Sequence, residues 1–180
     1  MKTHIIPMLT EEAQKSDIPD SEEQIEVPKF GTVDFGFSAI QIDSFNIPEE
    51  SLTLKMQGNS IHLECQKISG SISSFDWFFR QHSFPKLKDK GQATASISNT
   101  TVSLVLQLTI SIRGTQLEVS NSVVKIGNLD VKVKKNAKSL VYNLVISLVV
   151  RLLKTKLEDL LAELLQDGIE DNGKELLGGF

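Results

Sequence analysis

The sequence predicts an α+β fold in which a long, curved antiparallel sheet wraps around one long C-terminal helix. Three observations predict it. Apolar residues alternate from Val102 to Ile112 with polar or small residues in most gaps, and eleven residues at strand rise cover roughly 35 Å, about twice an ordinary strand. The alternation elsewhere slips phase without stopping, as a bulged and bent sheet requires. After Lys135 the apolar period changes to steps of three and four residues as far as Gly168, the signature of a helix.

A chain of 180 residues is one domain's worth, long enough to bury a real core. We read it as a single domain over 1–180: a start and linker over 1–30, the curved sheet over 31–135, the long helix over 136–168 and a tail over 169–180. Met1 to Lys15 is weakly helical, and Asp17 to Lys29 is acidic, broken by Pro19 and Pro28, and expected to be irregular. Val33, Phe35 and Phe37 then alternate, slip near Ala39 and resume as Ile40 and Ile42. A turn around Asn46 and Pro48 leads to Leu52, Leu54 and Met56, and Gly58-Asn59-Ser60 turns the chain into Ile61, Leu63 and Cys65, with another slip at Ile68. Ala93, Ala95 and Ile97 precede the long Val102 run, and Leu117, Val119, Ile126, Leu129, Val131 and Val133 add two short strands. Asn136 is placed to cap the helix. Thirty or so residues at 1.5 Å make it about 45 Å long, comparable to the strands it would cover.

Nineteen basic against 23 acidic residues give a net charge of −4, which argues against nucleic acid as a partner, since phosphates need a clustered basic surface. A single cysteine, Cys65, excludes an internal disulfide and any metal site built on several thiolates. His4, His62 and His82 lack metalloprotease spacing, no G-x-S-x-G elbow is present, and Gly31 and Gly36 do not form a phosphate loop before a helix. The expectation is a protein that is not an enzyme, with no cofactor and no metal.

Two features carry more. Phe75 to Gly91 holds five of the chain's ten Phe and Trp residues, followed by three lysines. Trp77, Phe78, Phe79, Arg80, Lys86, Lys88 and Lys90 there suit a membrane interface, with rings at headgroup depth and cations toward phosphates. The alternative is a long hairpin whose aromatics close one end of the core. Asn99-Thr100-Thr101 is an N-glycosylation sequon expected at a hairpin tip.

The order of elements, and several short stretches, resemble the N-terminal barrel of the bactericidal/permeability-increasing protein and lipopolysaccharide-binding protein family, within the tubular lipid-binding superfamily. Ile42 to Leu52 is similar to that family's S-F-x-(I/L)-P-x-S strand and turn. Ile68-Ser69-Gly70, the hairpin with Trp77, and Gly127 to Val133 leading into the last helix are similar in order and spacing, and Ile18-Pro19-Asp20 resembles the linker after the family's first long helix. The resemblance implies half of a tubular lipid-binding fold. It also implies an apolar pocket between helix and sheet that takes acyl chains of phospholipid or lipopolysaccharide, and an extracellular role in innate immunity or lipid transfer.

The inward-facing residues expected to touch such a lipid are Val33, Phe35, Phe37, Leu104, Leu106, Leu108 and Ile110 on strands, and Val141, Leu144, Leu148 and Leu152 on the helix. All are equally expected of a plain core, so a filled barrel acting as a structural or protein-interaction module is the rival reading. The chain departs from the family in four respects. It opens where the first helix should be ending, which predicts a partly open interior; it lacks the usual cysteine pair; its basic tip is thin; and it has no second barrel. The first 30 residues hold no unbroken apolar stretch of signal-peptide length, so the chain reads as cytoplasmic if complete and extracellular if trimmed.

Overall fold

A computed structural model describes residues 2–15, 17–134 and 139–173, with 2, 3, 17 and 139–141 described by their backbone alone. Helix α1 (Lys2–Lys15) is followed by β1 (Asp17–Ile18), β2 (Ser21–Val27), β3 (Gly31–Ser38), β4 (Ile40–Asn46), a short 3-10 turn, β5 (Leu52–Gln57), β6 (Ser60–Gln81), β7 (Lys88–Ser111), β8 (Gly114–Lys125), β9 (Asn128–Val133) and helix α2 (Ser139–Asp171). The nine strands form one antiparallel sheet among the described residues.

Register reduces these strands to five long ribbons laid side by side. β3, β4 and β5 run in succession along one edge of β6, from Val33 opposite Gln81 to Gln57 opposite Ser60. β7 runs along the other edge, from Lys88 opposite Arg80 to Gln107 opposite Ser60. β1 and β2 flank β4 and β3, and β9 and β8 flank the two halves of β7. The expected irregular linker therefore contains a strand: Ser21–Val27 pairs along its full length with β3. Its glutamates point to solvent from an outermost strand, which needs only one partner and tolerates charge.

The phase slips read from the sequence are a seam that crosses the sheet. Ala39 (φ 57°), Lys67 (φ 57°) and Asn99 (φ 50°) adopt left-handed backbone in the middle of three successive ribbons, each at a cost of roughly 1 kcal/mol. Gly127 completes the line. A Cβ there would lie 2.5 Å from the Asn99 carbonyl oxygen, so only glycine permits the approach. Such a line of irregularities increases local twist, and the sheet curls into a half-barrel.

α2 lies across the concave face over β8 and β9, and α1 lies over β4 and against α2. Ile5, Leu9 and Ala13 of α1 are buried against the same core as Val145, Val149, Leu153, Leu157, Leu161, Leu165 and Ile169 of α2. Among the described residues, three hydrogen bonds tie α2 to the last ribbon. The backbone N–H of Ile126 donates to Glu158 Oε1 at 3.2 Å, that of Val119 to Glu170 Oε1 at 3.4 Å, and Ser122 Oγ–H to the Ala162 carbonyl at 2.9 Å. The helix is described from Ser139 and runs to Asp171, past the expected end at 168; residues 135–138, with the expected helix start and cap Asn136, and most of the expected tail lie outside the described residues. α1, short as it is, buries Ile5, Leu9 and Ala13 against the core and packs on β4 and α2.

Candidate functional site

The interior is built from the ribbon faces by parity. Val33, Phe35 and Phe37 of β3, Leu104 and Leu106 of β7, and Leu148 of α2 are buried in one apolar cluster. Leu108, Leu144 and Leu152 are partly buried and pack against it. Val141 lies outside the described residues as far as its side chain is concerned. Ile110 departs from expectation: it has the inward parity of Leu104 and Leu106 but is 77% exposed. The β7–β8 hairpin projects past the last β6 partner at Gln107, and Gly173, just beyond the end of α2, lies beside Leu117 on β8, so among the described residues no element covers Ile110 or Ile112.

A groove of about 510 Å³ lies between β2 and α2. Glu23 lines it from the strand, and Arg151, Leu152, Thr155, Lys156, Asp159, Leu160 and Glu163 line it from the helix. Lys156 Nζ sits 5.8 Å from the centroid of the Phe37 ring, a cation over an aromatic face. The groove thus combines two leucines, Leu152 and Leu160, with charged side chains of both signs. Of the expected lipid contacts, it includes Leu152. Arg151, Thr155, Lys156 and Glu23 were missed, although Arg151, Thr155, Asp159 and Glu163 recur every four residues, a polar stripe legible in the sequence.

The aromatic hairpin divides by the same parity. Trp77 and Phe79 are buried with Phe35 and Phe75, so they close one end of the core and do not present rings to a membrane. Phe30 packs edge-on against Phe79 at 6.4 Å. Phe78 and Arg80 alternate outward, and the Arg80 guanidinium lies 5.9 Å from the Phe78 centroid. Shallow cavities of about 430 and 480 Å³ flank Phe78, bounded in part by Lys88 and Lys90. At the tip, Phe84 is 93% exposed and Lys86 is exposed beside it. Gln81 anchors this turn, its Nε2–H donating to the Phe30 carbonyl at 2.8 Å and its Oε1 accepting from the Leu87 N–H at 3.3 Å.

Beside the tip, His82 Nε2 lies 2.8 Å from Asp34 Oδ1, and Arg80 Nη1 lies 3.7 Å from Asp34 Oδ2. The His82 hydrogen bond above all, with Gln24 and the nearby positive charges adding to it, holds the Asp34 carboxyl below its usual range against partial burial. Asn99 is exposed, but it sits mid-strand in β7 at the seam, not at a hairpin tip. Among the described residues no group of three or more His, Cys, Asp or Glu is placed to hold a metal ion, and no helix is long and apolar enough to cross a membrane.

Against known proteins, the model of the LBP / BPI / CETP family, N-terminal domain, matches residues 2–172. Among solved structures, the chain is similar to the crystal structure of lipopolysaccharide binding protein, with a TM-score of 0.67 and 22% identity, covering 93% of this chain and 35% of that one. It also matches Takeout 1 of Epiphyas postvittana at a TM-score of 0.46 and 11% identity, covering 91% and 80%. The first likeness is one of fold, and the chain spans about a third of that structure's length. A sequence comparison with curated proteins returns no match.

Proposed function

Because this chain belongs to the LBP / BPI / CETP family, as its N-terminal domain, we propose that it is a non-enzymatic lipid-binding module. The acyl chains of a phospholipid or lipopolysaccharide lie between α2 and the curled sheet. The observation that carries this reading is the groove between β2 and α2, where Leu152 and Leu160 lie among Arg151 and Lys156, with the Lys156 ammonium over the buried Phe37 ring. Ten or so methylenes moved from water into such a site at ~0.8 kcal/mol each supply roughly 8 kcal/mol before ordering costs, enough for useful affinity. Val33, Phe35, Phe37, Leu104, Leu106, Leu148 and Leu152 are the chain's lipid-facing wall in this reading.

Docking to an anionic membrane surface falls to the exposed tip, Phe84 with Lys86, Lys88, Lys90 and Arg80, and not to Trp77 or Phe79. An extracellular site of action, with Asn99 glycosylated and a part in innate immunity or lipid transfer, completes the proposal. The near-complete burial of Val33, Phe35 and Leu104 favours one rival, a filled barrel that holds no cargo. Native mass spectrometry with lipid extraction separates the two. A lipid carrier purifies with heterogeneous lipid bound, and a chain that carries none from any expression host is a filled barrel.

A further inference from the structure

Of the large apolar residues exposed among the described residues, three stand at one end of the sheet: Met56, Ile110 and Ile112. Register puts them there. Gln57 lies opposite Ser60 and Ser60 opposite Gln107, so the β5–β6 turn is level with Gln107 while the β7–β8 hairpin runs on past it. The Leu108 N–H donates to the Asn59 carbonyl at 2.9 Å and ties the two turns together. At the hairpin tip, Ser111 Oγ–H donates to the Gly114 carbonyl at 3.1 Å, and Ser111 Oγ accepts from the Arg113 N–H at 3.2 Å. A braced turn therefore holds Ile112 fully in water.

The charges around these side chains are of one sign. Leu52 to Leu63 and Gln107 to Leu117 contain no carboxylate, in a chain with 23 Asp and Glu, and each stretch holds one Lys or Arg, Lys55 and Arg113. The next acids along β6 and β8, Glu64 and Glu118, have the outward parity and are exposed. The acidic end of α2, with Asp167, Glu170 and Asp171, comes no further along the hairpin than Leu117, the partner of Leu108, and Glu170 accepts from the Val119 N–H. Ile112 lies four residues past Leu108, roughly 13 Å at strand rise, so the tip stands clear of those carboxylates.

Apolar side chains beside a lone arginine suit a phospholipid surface, where the aliphatic groups enter the acyl boundary and the guanidinium stays among phosphates. They do not suit a second copy of the chain. Three aliphatic side chains on a narrow hairpin and a turn fall well short of the ~800 Å² that each partner contributes to a stable interface. We propose that the β7–β8 hairpin is a membrane-docking element that inserts Ile110 and Ile112 into a zwitterionic phospholipid bilayer, with Met56 at its edge and Arg113 against lipid phosphate. It sits at the opposite end of β6 from the Phe84 tip and works by apolar insertion, not by charge attraction. The inner row of β7 leads inward from it: Ile110 exposed, Leu108 half-buried, Leu106 and Leu104 buried. Passage of a lipid along that row rests on the lipid-binding reading; the docking itself does not.

Flotation of the full chain with phosphatidylcholine vesicles at about 0.5 M salt, where charge attraction is screened, is the test. Wild type is expected to float, and so is the variant with Lys86, Lys88 and Lys90 replaced by Ser. The double variant Ile110→Ser with Ile112→Ser should melt as wild type does and bind roughly tenfold or more weakly. Emission from Ile112→Trp should be quenched by brominated phosphatidylcholine, while that of the buried Trp77 is not. Failure of wild type to float, or equal flotation of the double variant, overturns the proposal, and lipid extraction from the purified chain then decides separately whether it carries cargo. A vesicle-free dimer in sedimentation velocity that the double variant converts to monomer gives this end to a second copy and overturns it as well.

Discussion

The indole of Trp77 lies over the α-carbon of Gly91, where a Cβ would stand 3.0 Å from Cζ2 and 3.3 Å from Nε1. The two residues are register partners at the end of the sheet where β6 and β7 leave the hairpin tip. The missing side chain on one strand is what lets the largest side chain of the other lie flat.

Gly91→Val should therefore push the indole off its seat and destabilise the fold by about 1–3 kcal/mol, the usual cost of overpacking. Urea unfolding monitored by Trp77 emission measures both effects at once, and an unchanged midpoint with unchanged emission would show that the ring is not held there.

Leu106→Asp and Leu148→Asp each place an unpaired charge in the cluster where sheet and helix meet, and should cost more than about 4 kcal/mol or abolish folding. Ile110→Asp, on the same strand face, should fall within about 0.5 kcal/mol of wild type because that residue is already in water. Thermal melts of the three variants decide whether coverage, and not parity, sets the cost.

Glu158→Ala removes the acceptor for the Ile126 N–H and should cost about 1–2 kcal/mol, with Glu158→Gln costing less because an amide oxygen still accepts. Amide exchange at Ile126 is the local readout: it should quicken in the alanine variant first.

Replacing Lys86, Lys88 and Lys90 together with Ser should weaken binding to anionic liposomes by roughly 1 kcal/mol per lysine at moderate salt. Co-sedimentation is the measurement, and full retention by the triple variant would take these lysines out of membrane docking.

Asp34 links the fold to acid. Its folded pKa is depressed, chiefly by the His82 hydrogen bond, so its contribution is present above the unfolded value of about 3.9 and is lost as pH falls through the folded value. Wild type should exceed Asp34→Asn in stability at pH 6, with the two converging as pH falls below the folded value. Parallel denaturation curves across that range would show that the ion pair contributes nothing.

The sequence revealed faces more readily than coverage. Strand periodicity found the inner row of β7 as far as Leu108, but Ile110 shares that row and stands in water, as does Ile112 in the turn beyond it, because where a helix ends relative to a strand is a tertiary fact. The aromatic hairpin was legible in finer detail than composition allowed. Phe75, Trp77 and Phe79 share odd parity, and Phe78 and Arg80 the even one, which already separates core from surface. β2 was hidden because an outermost strand rich in glutamate shows little apolar alternation, with Ile25 and Val27 only partly buried. The groove was hidden for a different reason: its walls come from β2 and α2, more than a hundred residues apart in the chain.

The seam through Ala39, Lys67 and Asn99 imposes a counting rule on this protein. Inward residues of β7 are odd-numbered before Asn99 (Ala93, Ala95, Ile97) and even-numbered after it (Val102, Leu104, Leu106). β3 and β4 switch in the same way at Ala39, from Phe35 and Phe37 to Ile40 and Ile42. Deleting Asn99 would leave one uninterrupted alternation with the same apolar residues still inward, whereas deleting any other residue of β7 would turn the strand beyond it inside out. Away from the seam, single-residue gains or losses within these ribbons are thus frame errors in three dimensions, while paired ones keep the frame; the seam and the turns between ribbons are where the chain can change length one residue at a time.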